Sequence, residues 1–130
     1  MFRYFNLMFD GCDTVPNNVW VGITAENQAM YNKRSPWIFE IRQYVSNTFI
    51  SIEPQLEKVT MTGYIPDWVI TGGESGACCR PYDPDWARAL RDQCRREGAA
   101  FFMKQLGGVQ NHRAELEDLP EDLRIREFPI

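Results

Sequence analysis

Histidine is almost missing from this chain of 130 residues, which contains only His112. A single histidine cannot build a metal site with several histidine ligands, and a nucleophile triad would rest on that one residue. The cysteines are Cys12, Cys78, Cys79 and Cys94, with no Cys-x-x-Cys pair among them. Adjacent cysteines suit neither tetrahedral ligation nor an easy disulfide. We therefore expect reduced thiols and no metal site.

Long hydrophobic runs and an excess of positive charge are also lacking. No apolar run approaches the roughly 18 residues that a membrane-spanning helix needs, and residues 1–10 lack the basic-then-apolar order of a signal peptide. We therefore expect a cytoplasmic protein that does not enter a membrane. Because the net charge is −4 and the pI is near 5.0, we expect no direct binding to nucleic acid.

The length fits a single domain, residues 1–130, and 44% hydrophobic residues are typical of a globular protein. We expect an irregular or apolar N-terminal segment at 1–18 and an acidic C-terminal tail at 109–130. Such a tail is most often solvated and less often a surface for a basic partner. Its acidic residues are Glu115, Glu117, Asp118, Glu121 and Asp122.

Four short runs rich in aromatic and β-branched residues predict strands. Strict alternation is weak in these runs, which favours parallel strands buried on both faces over an antiparallel sheet with one wet face. The predicted strands are Val19–Thr24, Thr48–Glu53, Trp68–Thr71 and Ala100–Lys104.

Helical patterns alternate with these strands. Residues 25–47 carry the first helical pattern, in which Ser35 and Pro36 resemble a cap and a first-turn proline and predict that the helix restarts there. Asp83 and Pro84 give the same signal for a second helix that ends at Gly98. Residues 54–67 provide a crossover without a clear helix. The predicted fold is α/β, with four parallel strands alternating with helices.

Polar residues follow each predicted strand at once. The carboxyl ends of parallel strands share one rim where ligands bind, and carboxylates beside a lysine suit acid/base work or the binding of a polar ligand. We cannot assign a catalytic residue. The candidate ligand-facing rim consists of Thr24, Glu26, Asn27, Ser51, Glu53, Gly72, Gly73, Glu74, Ser75, Arg80, Lys104 and Gln105.

The stretch GGESG, residues 72–76, allows a close backbone approach to an anion or a ribose. It lacks the Gly-x-Gly-x-x-Gly spacing of a dinucleotide site and the lysine-serine ending of a phosphate loop. It also lacks the Gly-x-Ser-x-Gly spacing of a hydrolase elbow. The stretch therefore favours a ligand-facing turn and disfavours a serine nucleophile.

Six motifs occur in order along the chain: NVWVGITAENQ, FISIEPQL, DWVITGGESG, RPYDPDWARALRDQC, FFMKQLG and DLPEDLRIREFP. From about Val19 onward, the chain resembles the C-terminal half of a phage and prophage family of radical-SAM-like proteins of uncharacterised activity. The resemblance implies half of a (β/α) barrel with its site on the carboxyl rim. It also implies that S-adenosylmethionine and an iron–sulfur cluster bind only if the missing half supplies the three-cysteine motif, so for this chain alone we expect no cofactor.

Two functions stay open on this basis. The missing cysteine motif favours a phage-derived fragment that is inactive alone and binds a protein partner, for instance to inhibit a host defence complex. The polar rim favours the C-terminal half of a radical-SAM-like enzyme that supplies cofactor- or substrate-contacting residues. A half barrel leaves two open sheet edges, which we expect to be covered by a homodimer, by the terminal segments or by another protein.

Overall fold

The computed structural model describes residues 15–108 and 115–130, so the predictions for the N-terminal segment before Val15, Cys12 and His112 lie outside it. The strands form one parallel sheet in the order β1-β2-β3-β4, which confirms the predicted α/β fold. Each predicted strand end is correct within one residue. The elements are β1 (Trp20–Thr24), α1 (Gln28–Ile41), β2 (Asn47–Ile52), β3 (Trp68–Gly72), α2 (Pro84–Glu97) and β4 (Ala100–Gln105).

Helix α1 continues through the position where the sequence pattern predicted a restart. The side chain of Asn27 accepts a hydrogen bond from the Met30 N–H at 2.9 Å and caps the helix, which runs unbroken from Gln28 to Ile41, so the prediction of a restart at Ser35 and Pro36 was wrong. Pro36 lies inside the helix, where it lacks the N–H that an interior position would donate. The helix continues past it because Ile38 and Ile41 are buried in the core.

Helix α2 matches its sequence signals. The Asp83 side chain accepts a hydrogen bond from the Asp85 N–H at 2.9 Å, and Pro84 occupies the first turn. Gly98 ends the helix with a φ of 75°, a conformation that costs glycine little. Leu90 and Cys94 of this helix are fully buried in the core.

Both helices pack on the same face of the sheet. Side chains that alternate along the strands, such as Ile50, Val69 and Phe101, are buried against α1 and α2. The residues between them are only partly buried, so the prediction of strands buried on both faces was wrong for the part of the chain that the structure describes. We call this second side of the sheet the open face.

The crossover from β2 to β3 is irregular, as predicted, and fills the space between the two helices. Val59 and Met61 are buried there. Gln93 of α2 accepts a hydrogen bond from the Met61 N–H at 2.7 Å and donates one to the Val59 carbonyl at 3.2 Å. The Tyr31 hydroxyl of α1 bonds the backbone of Thr62. The crossover thus occupies the place between the two helices that a third helix would otherwise fill.

The C-terminal segment runs antiparallel along the outer edge of β4. The Met103 N–H donates to the Ile125 carbonyl at 2.9 Å, and the Glu127 N–H donates to the Phe101 carbonyl at 3.0 Å. Leu123 of the same segment is fully buried. One of the two expected open edges is therefore covered by a terminal segment, which was one of the three predicted means.

The acidic residues of this segment differ in their surroundings. Asp122 accepts hydrogen bonds from Arg88 at 2.8 Å and from Arg91 at 2.7 Å, both on α2. These arginines hold the pKa of Asp122 well below its usual range. The other four acidic side chains of the cluster are exposed. The segment as a whole is docked on the domain through Asp122 and its buried leucines.

Candidate functional site

The ends of β2 and β4 bring two opposite charges into one cleft. The Lys104 ammonium lies 3.4 Å from the Glu53 carboxylate, although the residues are 51 positions apart. Only 18% of the Glu53 side chain is exposed, whereas 55% of the Lys104 side chain is. The cleft has a volume of about 230 Å³ and is lined by Glu53, Pro54, Gly73, Glu74, Ser75, Lys104 and Gln105. Six of these seven residues were predicted for the rim.

Two neighbouring residues determine where the Glu53 carboxylate lies. The Ser51 hydroxyl donates to Glu53 Oε2 at 3.2 Å. Gly72 leaves room on the other side, because a Cβ there would lie 2.7 Å from Glu53 Oε1. The predicted rim residues Ser51 and Gly72 therefore act by placing Glu53, and they do not line the cleft.

Gly73 and Gln105 join the ends of β3 and β4. The Gly73 N–H donates to the Gln105 carbonyl at 3.0 Å, and the Gln105 side-chain amide donates to the Gly73 carbonyl at 2.9 Å. A Cβ on Gly73 would overlap the Leu106 carbonyl oxygen. Two backbones approach closely here, which explains a glycine at this position.

Glu74 pairs with Arg80, and no contact joins it to Lys104. Arg80 Nε and Nη2 donate to the two carboxylate oxygens at 2.7 and 2.8 Å. This fork, together with the Arg80 backbone N–H, lowers the pKa of Glu74 from its ordinary 4.5 to about 2. Glu74 also raises the pKa of Arg80, to which Glu26 adds a smaller effect. Glu74 is thus a fixed anion at the cleft wall.

The end of β1 contributes structural contacts. Arg34 of α1 donates to the Thr24 carbonyl at 2.8 Å and forms an ion pair with Glu26 at 3.1 Å. Asn27 caps α1. Thr24, Glu26 and Asn27 were predicted for the same rim, but they do not line the cleft.

A buried polar network behind the cleft was missed by the sequence reasoning. The Thr71 hydroxyl donates to Gln55 Oε1 at 2.7 Å, and the Tyr82 hydroxyl reaches the same oxygen at 3.5 Å. Gln55 is 1% exposed, and burial raises the pKa of Tyr82 well above its ordinary range. Thr71 lies two positions after the apolar Val69 and therefore on the same face of β3, which was the one available signal that it points to the core.

The open face carries aromatic rings on the strands that lead to the cleft. Glu53 follows Phe49 by four positions and Lys104 follows Phe102 by two, so all four side chains project from the same face. The Trp68 ring centre lies between 5.0 and 6.1 Å from each of four other rings. We call this group the aromatic layer: Trp20, Phe49, Trp68, Phe102 and Phe128.

None of these rings lines the cleft, whose walls are polar side chains, glycine backbone and Pro54. In this arrangement Glu53 can accept hydrogen bonds from a cationic group and Lys104 can pair with an anionic one. Gly73 and Ser75 border the same space. The cleft is therefore suited to a polar ligand that carries both charges.

The described residues include no group of three or more histidine, cysteine or acidic side chains placed to hold a metal ion. Cys94 is buried on α2, whereas Cys78 is exposed and Cys79 half-exposed in the loop after β3. Within the same described ranges, no helix is long and apolar enough to cross a membrane.

Comparison with known proteins places this architecture in a family. Residues 2–124 match a family described as a protein of unknown function, DUF5131. The chain belongs to this family. No curated protein and no solved structure matches the chain. The family assignment names no activity, so the functional argument rests on the cleft and the open face.

Proposed function

We propose that the chain is one half of a (β/α) barrel of the radical-SAM type and that its polar cleft binds a small ligand with both a cationic and an anionic group. The observation that supports this best is the pairing of Glu53 with Lys104 above the aromatic layer. The Glu53 carboxylate and the Lys104 ammonium use only part of their hydrogen-bonding capacity on each other. A ligand can therefore insert between the two groups.

S-adenosylmethionine fits this set of groups in its amino-acid part, and we propose, in place of the expectation that this chain alone binds no cofactor, that it binds here without the missing half. Its ammonium would bind Glu53 and its carboxylate would bind Lys104, while the aromatic layer offers apolar surface to the rest of the molecule. When bound, it supplies an activated sulfonium. The described cysteines do not fit an iron–sulfur cluster, since Cys94 is buried on α2 away from the Cys78–Cys79 loop, and we derive no step through a cluster.

Isothermal titration of the chain with S-adenosylmethionine tests this proposal. We expect binding by the natural chain and at least about tenfold weaker binding by Glu53→Gln and by Lys104→Met, because each variant removes one charge-assisted contact. The matched control is Lys58→Met, an exposed lysine on the crossover.

Equal affinity of all four proteins would contradict the assignment of Glu53 and Lys104. A complete lack of binding by the natural chain would contradict the ligand proposed for the cleft. Circular dichroism of each variant checks that the fold is intact.

A second candidate function is binding to a protein partner, and the open face favours it. Phe128 is 58% exposed and stacks on Trp68, at a ring-centre distance of 5.0 Å. Exposed aromatic clusters of this kind are typical of protein interfaces. A phage- or prophage-derived fragment with such a face would suit a role as an inhibitor of a host defence complex.

A photo-crosslinking amino acid in place of Phe128 tests this second function in cells. We expect a discrete crosslinked species from that position and none from Phe39, which is 51% exposed on α1. The species should disappear with Trp20→Ser, which removes part of the aromatic layer. Identical products from both positions, or no product from Phe128, would contradict docking through the open face.

A further inference from the structure

Two of the cysteines are neighbours in sequence and accessible in the fold. Cys78 is exposed and Cys79 half-exposed in the loop between β3 and α2. Cys94, by contrast, is fully buried, and burial raises its pKa to about 12. Among the described cysteines, only the adjacent pair can meet a reagent from solvent.

The loop that carries this pair is closed at its base. The fork between Arg80 and Glu74 joins residues on either side of the two cysteines. The Cys79 N–H donates to the Gly76 carbonyl at 3.3 Å, which forms a turn, and the Gly108 N–H donates to the Glu74 carbonyl at 3.1 Å. Because both ends are held, the two thiols stay together on one short turn.

Cys79 also borders a cavity. Its volume is about 410 Å³, and Arg80, Tyr82, Leu106 and Gly107 are among its lining residues. A small neutral oxidant can enter a space of this size. The pair is therefore a candidate for chemistry that needs two thiols at once.

We propose that Cys78 and Cys79 form a paired-thiol modification site that a peroxide oxidises to a disulfide between adjacent residues. The thiolate of one cysteine attacks a peroxide oxygen, the O–O bond breaks, and a sulfenic acid and hydroxide form; the hydroxide takes up the proton that the thiol released and leaves as water. The second sulfur then attacks the sulfenic sulfur and expels hydroxide, which takes the thiol proton and leaves as water. Two sulfurs lose one electron each, and hydrogen peroxide is reduced to two waters.

The product is a reversible bond and not a structural one. Adjacent Cα atoms across a trans peptide are about 3.8 Å apart, below the roughly 4.4–6.8 Å that disulfides usually span. The ring must therefore strain the backbone, and strained disulfides are readily reduced. Since Arg80 follows Cys79 directly, this strain acts on the pair with Glu74 at the cleft wall.

Stoichiometric hydrogen peroxide on the purified chain in a Cys12→Ser background tests the proposal. We expect intact-mass and peptide analysis to show the loss of two hydrogens within the peptide that contains both cysteines, with full reversal by dithiothreitol. Cys94 should stay unoxidised. Cys78→Ser and Cys79→Ser should each abolish this product and instead yield a sulfenic acid that dimedone traps.

Phenylarsine oxide gives an independent measurement, because it bridges two nearby thiols with loss of water. We expect one equivalent to bind the background protein and none to remain bound to either single variant after exposure to a monothiol. Two results would overturn the proposal. One is that peroxide gives the background protein the same sulfenic or sulfinic acids as the single variants. The other is that the disulfide joins two chains.

Discussion

At the residue scale, the fork between Glu74 and Arg80 makes the stability of the cleft wall depend on pH. A carboxyl whose pKa is lower in the folded than in the unfolded chain stabilises the fold above its unfolded pKa. That contribution is lost as the pH falls from about 4.5 toward about 2, the folded pKa of Glu74. The Arg80 side chain is 55% exposed and that of Glu74 is 28% exposed, so solvent limits the size of the effect.

We predict that Arg80→Gln returns the pKa of Glu74 toward its ordinary value, because the fork and its charge are removed. The carbon-13 chemical shift of the Glu74 carboxyl, followed by NMR during an acid titration, measures this. Lys58→Gln is the control and should leave the titration of Glu74 unchanged. A natural chain in which Glu74 titrates near 4.5 would show that the fork does not form in solution.

Gly73 provides a second residue-scale prediction. A Cβ at this position would overlap the Leu106 carbonyl oxygen and lie 2.9 Å from the Tyr82 ring. We expect Gly73→Ala to lower the free energy of unfolding by about 1–3 kcal/mol, the usual cost of overpacking. Urea denaturation measures it, with Ser75→Ala, an exposed neighbour, as the control. Equal midpoints for the two variants would contradict the close approach of the two backbones.

The residues of the cleft were partly predictable from sequence. Glu53 and Lys104 could be found because parallel strands place their carboxyl ends on one rim, whatever the details of packing. The pairing of Glu74 with Arg80 depends on the path of a loop, which no periodicity records. Gln55 could not be found, because a buried amide in an irregular crossover leaves no pattern in the sequence.

At the element scale, the predictions for the two helices had opposite outcomes. Asp83, Pro84 and Gly98 mark α2 because cap, first-turn proline and terminal glycine all agree. Ser35 and Pro36 carry a similar signal within α1 and were misread, since proline favours a first turn but is also tolerated where core contacts hold a helix. The four strands were recoverable because their residues favour extended backbone.

The cap at Asn27 allows a direct test of where α1 begins. Its side chain bonds the Met30 N–H, so Asn27→Ala should lower the free energy of unfolding by about 1 kcal/mol. Thermal unfolding followed by circular dichroism measures this loss. Lys33→Ala, an exposed position within the helix, should change stability by no more than about 0.5 kcal/mol. A neutral Asn27→Ala would place the start of the helix further along the chain.

At the scale of the whole molecule, the C-terminal segment belongs to the core. Its backbone pairs with β4 and its leucines fill space beside α2. Composition alone predicted a solvated tail, because the charges are abundant and the pairing joins residues far apart in sequence. Edge pairing of this kind depends on backbone groups, which every sequence has, so it cannot be read from side chains.

Leu123 and Leu116 form a matched pair for testing this docking. Leu123 is fully buried, whereas Leu116 is 36% exposed in the same segment. Leu123→Ala should lower the free energy of unfolding by about 2–5 kcal/mol, the cost of a cavity in the core. Leu116→Ala should change it by no more than about 0.5 kcal/mol. Urea denaturation distinguishes them, and similar midpoints would mean that the segment does not dock.

The antiparallel contact of Glu127 with β4 also limits which edge of this sheet can pair with another chain. Within the described ranges no strand pairs with the outer edge of β1, while the edge of β4 is occupied. A sheet with two free edges can add chains without limit, and the result is a fibre. Because the edge of β4 is occupied, strand addition cannot proceed through both edges of this sheet, so growth into such a fibre is blocked.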